Sequence, residues 1–201
     1  MLQTVLIRPG QTFYDEQERI AGNLDLPLSP AGQDQIRQLA VKLQEQTWTA
    51  IYCGNQTACV ESANLLAKPL RAKVYKCEQF ANMNLGLWQG MLIDDIRHKQ
   101  PKVYKQWQEH PESVCPPQGE VITTAAKRLE AGLEKIAKKH SQGRVAIIVA
   151  EPLASWFAAQ LDPGGEFDFW KVFEQAATTT ELELHAKTWR TEMNFTVSSA
   201  N

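Results

Sequence analysis

The sequence predicts an α/β fold, a three-layer α/β/α sandwich around a mostly parallel central sheet. Three observations carry this expectation. Short apolar runs alternate along the chain with stretches whose apolar residues recur at helical spacing, the order of βαβ units with right-handed crossovers. The runs at 5–7 and 145–150 are apolar at every position, as in strands covered on both faces. The chain has 201 residues, 43% hydrophobic and 22% charged, enough for one α/β domain with a sizeable core.

The elements follow in order. Residues 2–8 read as a first strand, running into Arg8-Pro9-Gly10-Gln11-Thr12. Ser29 and Pro30 suit a helix N-cap and first helical position, and Ile36, Leu39, Ala40 and Leu43 give that helix one apolar face. Thr49–Cys53 is a short strand ending at Gly54, and a helix over about 57–66 aligns Val60, Ala63 and Leu66. Lys73–Cys77 is a third strand. Residues 80–118 read as an irregular insertion, with Trp88, Trp107 and short helices near 92–98 and 101–109. A long helix over about 120–140 carries Ile122, Ala125, Leu129, Leu133 and Ile136 on one side and ends in Lys138-Lys139-His140, which complement its dipole. Residues 145–150 form the clearest buried strand, and 153–161 an apolar helix. Thr178–Ala186 and Thr188–Phe195 read as a terminal hairpin or edge strands, and 198–201 as a loose tail. No linker or repeat is visible, so residues 1–201 read as one domain.

Composition narrows the partners. Twenty-one basic and 23 acidic residues leave a formal charge of -2, and no basic stripe predicts nucleic-acid binding. No apolar stretch spans a bilayer and no signal peptide is read at MLQTVLI, so no membrane partner is expected. The four cysteines, Cys53, Cys59, Cys77 and Cys115, match neither a zinc site nor a disulfide framework, and the expected compartment is the cytoplasm. No cofactor and no metal is expected. The partner is an unidentified protein or small molecule, and the chain is expected as a monomer or homodimer.

Chemistry is expected at the carboxyl end of the first strand, where open α/β sheets bind ligands. The best-exposed position there holds Pro9, which has no N–H and no reactive group.

The segment order resembles the histidine phosphatase superfamily, also called phosphoglycerate mutase-like. Leu6-Ile7-Arg8-Pro9-Gly10-Gln11-Thr12 is similar to its opening Arg-His-Gly motif. Residues 19–29, ending Asp25-Leu26-Pro27-Leu28-Ser29, residues 52–63, Gly86-Leu87-Trp88-Gln89-Gly90 and Pro117-Gln118-Gly119-Glu120 resemble its later segments. The resemblance covers roughly residues 1–187. It implies a phosphoglycerate mutase-like fold, and chemistry by a phosphorylated histidine, two arginines, a second histidine and a carboxylic acid. The first arginine is Arg8. The nucleophile's place falls on Pro9, the second arginine's on Ala58, the acid's on Asn82 and the second histidine's on Glu151. None of these replacements performs the original task, and no other histidine lies close in sequence.

The expected function is therefore a non-catalytic pseudoenzyme, a pseudophosphatase with a binding, regulatory or scaffolding role. The alternative is a phosphatase- or mutase-like enzyme of altered mechanism, acting on a small phosphorylated or other ligand in the same cleft. Arg8, Gln11, Thr12, Asp15, Cys53, Glu120 and Glu151 are the candidates for a residual ligand pocket. Arg8 reads either as an anion site or as the partner of Glu151 in an ion pair closing the pocket. Cys53 lacks the arginine of a Cys-x5-Arg loop and reads as a buried thiol rather than a nucleophile. Asp15, Glu120 and Glu151 lack the spacing of a metal site. Trp88, Trp107, Trp156 and Trp170, and the cluster Phe167, Phe169, Trp170 and Phe173, read as core packing.

Overall fold

The computed structural model describes residues 2–161, 170 and 176–183. The strands are β1 (Leu2–Ile7), β2 (Ala50–Cys53), β3 (Lys73–Lys76), β4 (Gly143–Ile148) and β5 (Thr179–Glu183). The helices are α1 (Phe13–Glu16), α2 (Pro30–Leu43), α3 (Thr57–Ala67), α4 (Ile93–Lys99), α5 (Pro101–Glu109), α6 (Ile122–Lys139) and α7 (Leu153–Leu161). The sheet runs β3-β2-β4-β1-β5. Four strands are parallel, and β5 pairs antiparallel with β1 at one edge.

Period-two alternation along the strands builds the two faces. Val5, Ile7, Ile51, Cys53, Ala146 and Ile148 face the core that α2 and α3 cover. Leu6, Ala50, Tyr52, Val145 and Ile147 face the opposite core, built with α6 and α7. The three-layer expectation is met, and the consecutive apolar positions of β1 and β4 follow from burial on both faces. Each fully buried aliphatic side chain here contributes about 1.5–3 kcal/mol.

Local chemistry sets the helix starts. Ser29 Oγ accepts the Gly32 N–H at 3.1 Å and Pro30 takes the first position of α2. The short α1 was not expected. Its N-cap Thr12 forms a capping box with Asp15, which holds the chain directly after the β1 turn.

Residues 80–118 are packed into the α6/α7 side of the molecule. Phe80, Met83, Leu85, Trp88, Ile96, Trp107 and Val114 belong to that core cluster. Trp88 meets Trp107 edge-on at 4.7 Å, and Tyr104 stacks on Trp170 at 4.4 Å. Trp88, Trp107, Trp156 and Trp170 are core residues, as expected. Phe167, Phe169, Phe173, His185 and the segments 184–195 and 198–201 lie outside the described residues. Among the described residues, no helix is long and apolar enough to cross a membrane.

Candidate active site at the carboxyl ends of the sheet

Register brings the site together. Ile7 pairs with Ile148 and Ile148 with Cys53, so β1, β4 and β2 end side by side. Arg8 leaves β1 there, Glu151 follows β4, and β2 leads to the start of α3. Between them lies a small cleft of about 60 Å³, open to solvent. Arg8, Pro9, Gly10, Thr12, Asp15, Ala58, Asn82 and Glu151 line it, with Gly22, Gln56 and Cys59. The four replaced positions of the sequence comparison therefore converge on one cleft.

Arg8 is 4% exposed. Its Nε is ion-paired with Glu151 Oε1, and its second amino group donates to Ser155 Oγ at 3.0 Å. Ser155 returns two hydrogen bonds to Glu151, Oγ to Oε1 at 2.8 Å and N–H to Oε2 at 3.0 Å. Glu151 thus also caps the first turn of α7. Burial pushes the Glu151 carboxyl above its ordinary range, and the Arg8 charge and the Ser155 bonds pull against it. The expected ion pair forms, and a small cleft remains beside it.

Gly10 approaches α2 so closely that a Cβ would collide with the Gly32 carbonyl oxygen. Its N–H donates to Ser62 Oγ at 3.2 Å. Thr12 donates to Asp15 Oδ2 from N–H and Oγ at 2.6 and 2.7 Å. Burial raises the Asp15 pKa, and these bonds partly offset the shift. Gln56, Ala58 and Cys59 bring the start of α3 to the cleft wall, where the positive end of its dipole favours an anion. Asn82 is 2% exposed, and its Nδ2 donates to Gly22 O at 2.8 Å and to Glu151 O at 2.7 Å.

Three candidates lie elsewhere. Gln11 turns to Gln35, giving and receiving hydrogen bonds at 3.1 and 2.9 Å. Cys53 points into the α2/α3 core, and burial pushes its thiol up to about 11. That burial disfavours a thiolate there at neutral pH. Glu120 pairs with Arg128 at 3.0 Å and accepts the Asn84 N–H at 2.9 Å, holding the segment before α6. It does not meet Asp15 or Glu151, and among the described residues no group of His, Cys, Asp and Glu could hold a metal ion. No histidine is among the described residues lining the cleft. Ser155 and Ser62 are site residues that the sequence reading missed. Ser155 had a signal, a hydroxyl four residues after an acidic residue at a helix start.

The sequence profile described as "Histidine phosphatase superfamily (branch 1)" matches residues 4–195. The chain belongs to that superfamily. It is 26% identical over 162 residues to phosphoserine phosphatase 1 of Hydrogenobacter thermophilus, covering 80% of this chain and 77% of that protein. It is 26% identical over 149 residues to phosphoglycerate mutase-like protein 4 of Arabidopsis thaliana, covering 73% of this chain and 65% of that relative, just under two thirds of its length. Among solved structures, a mycobacterial glucosyl-3-phosphoglycerate phosphatase complexed with VO3 superposes with TM-score 0.79 at 22% identity, covering 90% of this chain and 92% of the other. Bacillus stearothermophilus YhfR superposes with TM-score 0.79 at 22% identity, covering 92% of each. These likenesses bear out the phosphoglycerate mutase-like fold.

They also correct the functional expectation. The curated relatives of this superfamily member are named as phosphatases and mutases, which contradicts the reading as a non-catalytic binding or scaffolding protein. The replaced positions argued against one mechanism, that of phosphohistidine. They did not argue against phosphate chemistry by other groups in the same cleft, and the enzyme of altered mechanism fits the relatives better.

Proposed function

We propose that this chain is a phosphatase- or mutase-like enzyme of altered mechanism, acting on a small phosphorylated molecule in the cleft beside Arg8. The observation that carries this reading is the buried guanidinium of Arg8 at an open cleft flanked by the first turn of α3. Both are groups that bind phosphoryl oxygens. The names of the superfamily relatives support a phosphomonoester as the substrate class.

Pro9 cannot carry a phosphoryl group, and burial pushes Cys53 to about 11 and Cys59 to about 12, so no thiolate replaces it. The step is then direct attack of water on phosphorus. A new P–O bond forms as the ester P–O bond breaks. Glu151 accepts a proton and Asp15, its pKa raised by burial, returns one to the leaving oxygen. Arg8 offsets charge on the phosphoryl oxygens. The free thiols of Cys53, Cys59, Cys77 and Cys115 support a cytoplasmic setting.

The test is release of inorganic phosphate from a panel of phosphomonoesters, phosphoserine and p-nitrophenyl phosphate among them. Turnover is expected from the wild type, and a loss of about 10²–10⁴-fold in Glu151→Gln, the range of general acid–base catalysis. Absence of release from every ester would reject the reading.

A further inference from the structure

One hydroxyl joins the two charges of the site from behind. Ser155, on α7, is buried between Ala154 and Trp156 and is not among the described residues lining the cleft. Its Oγ accepts from the Arg8 guanidinium at 3.0 Å and donates to Glu151 Oε1 at 2.8 Å. An arginine can only donate, so the acceptor side of the hydroxyl serves Arg8 and its one proton goes to the carboxylate. The direction of both bonds is fixed by that chemistry.

Glu151 Oε1 is held by two donors, Arg8 Nε and Ser155 Oγ, whereas Oε2 takes the Ser155 N–H. Oε2 keeps the greater capacity for a further proton. A helix-end role accounts for the Ser155 N–H, which alanine would supply equally well. It does not account for the hydroxyl, whose partners are two side chains from different elements, Arg8 at the end of β1 and Glu151 after β4. A hydroxyl donated to an ionised carboxylate stabilises that form, the more so away from water. Burial raises the Glu151 carboxyl, and the Arg8 charge, the Ser155 hydroxyl and the Ser155 N–H pull it down.

We propose that Ser155 is a positioning residue of the reaction: its hydroxyl turns Oε1 of Glu151 to Arg8, leaves Oε2 to take the proton from water, and itself touches no ligand. This deepens the proposed function and rests on it. The charged and titratable groups that share the cleft with Glu151, among the described residues, are Arg8 from the end of β1, Asp15 from α1 and the Cys59 thiol from α3, the last pushed up to about 12 and so neutral. Arg8 stays charged throughout. Asp15 is bonded to Thr12 rather than to Ser155. A moved Glu151 titration therefore reads the hydroxyl.

The experiment compares the full chain as wild type, Ser155→Ala and Ser155→Thr. Alanine keeps the N–H bond and removes the hydroxyl, and threonine returns it. The Glu151 carboxyl is titrated by carbon NMR, assigned by its absence in Glu151→Gln, and p-nitrophenyl phosphate turnover is followed over the same pH range. Ser155→Ala is expected to move the Glu151 titration up by about one pH unit or more, the worth of a hydrogen bond to a charged group, and one limb of the pH–rate profile with it. The loss is expected in kcat rather than KM, and Ser155→Thr is expected to restore both readouts. Ser155→Cys, with its weaker S–H donor, is expected to lie between and gives the reading if the alanine variant does not fold. A residue that only supports the fold would lower Tm and leave the titration where it is. Wild-type turnover with an unmoved Glu151 titration in the folded variant overturns this inference alone. No turnover by the wild type overturns the proposed function, and with it the part of Ser155 in the reaction.

Discussion

Truncating Glu151 to alanine removes the carboxylate ion-paired with the buried Arg8 guanidinium. Three hydrogen bonds to the carboxylate disappear as well, from Arg8 Nε, Ser155 Oγ and Ser155 N–H. Breaking a buried ion pair by removing one partner costs about 3–5 kcal/mol. For a chain of this size each kcal/mol moves Tm by about 2–4 °C, so Glu151→Ala is expected to lose on the order of 6–20 °C. Arg8→Met is expected to cost less than Glu151→Ala, because a carboxyl can escape its burial by taking a proton and a guanidinium cannot. The double variant Arg8→Met with Glu151→Leu removes both charges and is expected to recover most of the loss. Urea unfolding of the two single variants and the double variant closes the cycle. A loss under about 1 kcal/mol for Glu151→Ala would place this pair with exposed surface pairs and refute the argument.

The remaining predictions concern pH, packing and thiol reactivity. Glu151 and Asp15 both have folded-state pKa values above their ordinary ones, so between the ordinary value and the raised one the folded chain binds more protons than the unfolded. Their contribution to stability therefore falls as pH rises above the usual carboxylate value, and Glu151→Gln is expected to flatten the fall in denaturation curves taken across that window. Gly10→Ala is expected to cost about 1–3 kcal/mol by overpacking, because its Cβ meets the Gly32 backbone rather than a movable side chain; a variant as stable as wild type in urea would contradict the close approach. Phe80, fully buried against α6 and Gly132, is expected to cost about 3–5 kcal/mol as Phe80→Ala, read from the same assay. Thiol titration with a disulfide reagent is expected to find Cys115 reacting first, with Cys53 and Cys59 slow until the chain is unfolded.

The layering was legible in the sequence because burial on both faces leaves unbroken apolar runs at 5–7 and 145–148, and because Ser29-Pro30 marks a helix start chemically. The convergence of Pro9, Ala58, Asn82 and Glu151 was legible through the family resemblance, since it depends on pairings such as Ile7 with Ile148 that no local pattern encodes. Side-chain direction was not legible. Gln11 sits between two cleft residues yet turns to Gln35, and Cys53 follows Tyr52 onto the opposite face of the strand. The helix α1 escaped notice because four residues have no periodicity, although Thr12 and Asp15 have capping-box spacing. The functional expectation failed by equating loss of one nucleophile with loss of all chemistry.

The most direct test of the account is a rapid acid quench of the protein mixed with a phosphomonoester labelled in its phosphoryl group. Direct attack of water predicts labelled inorganic phosphate with no label on the protein, and loss of that release in Glu151→Gln. Label retained covalently on the protein, or no phosphate released at all, would contradict it.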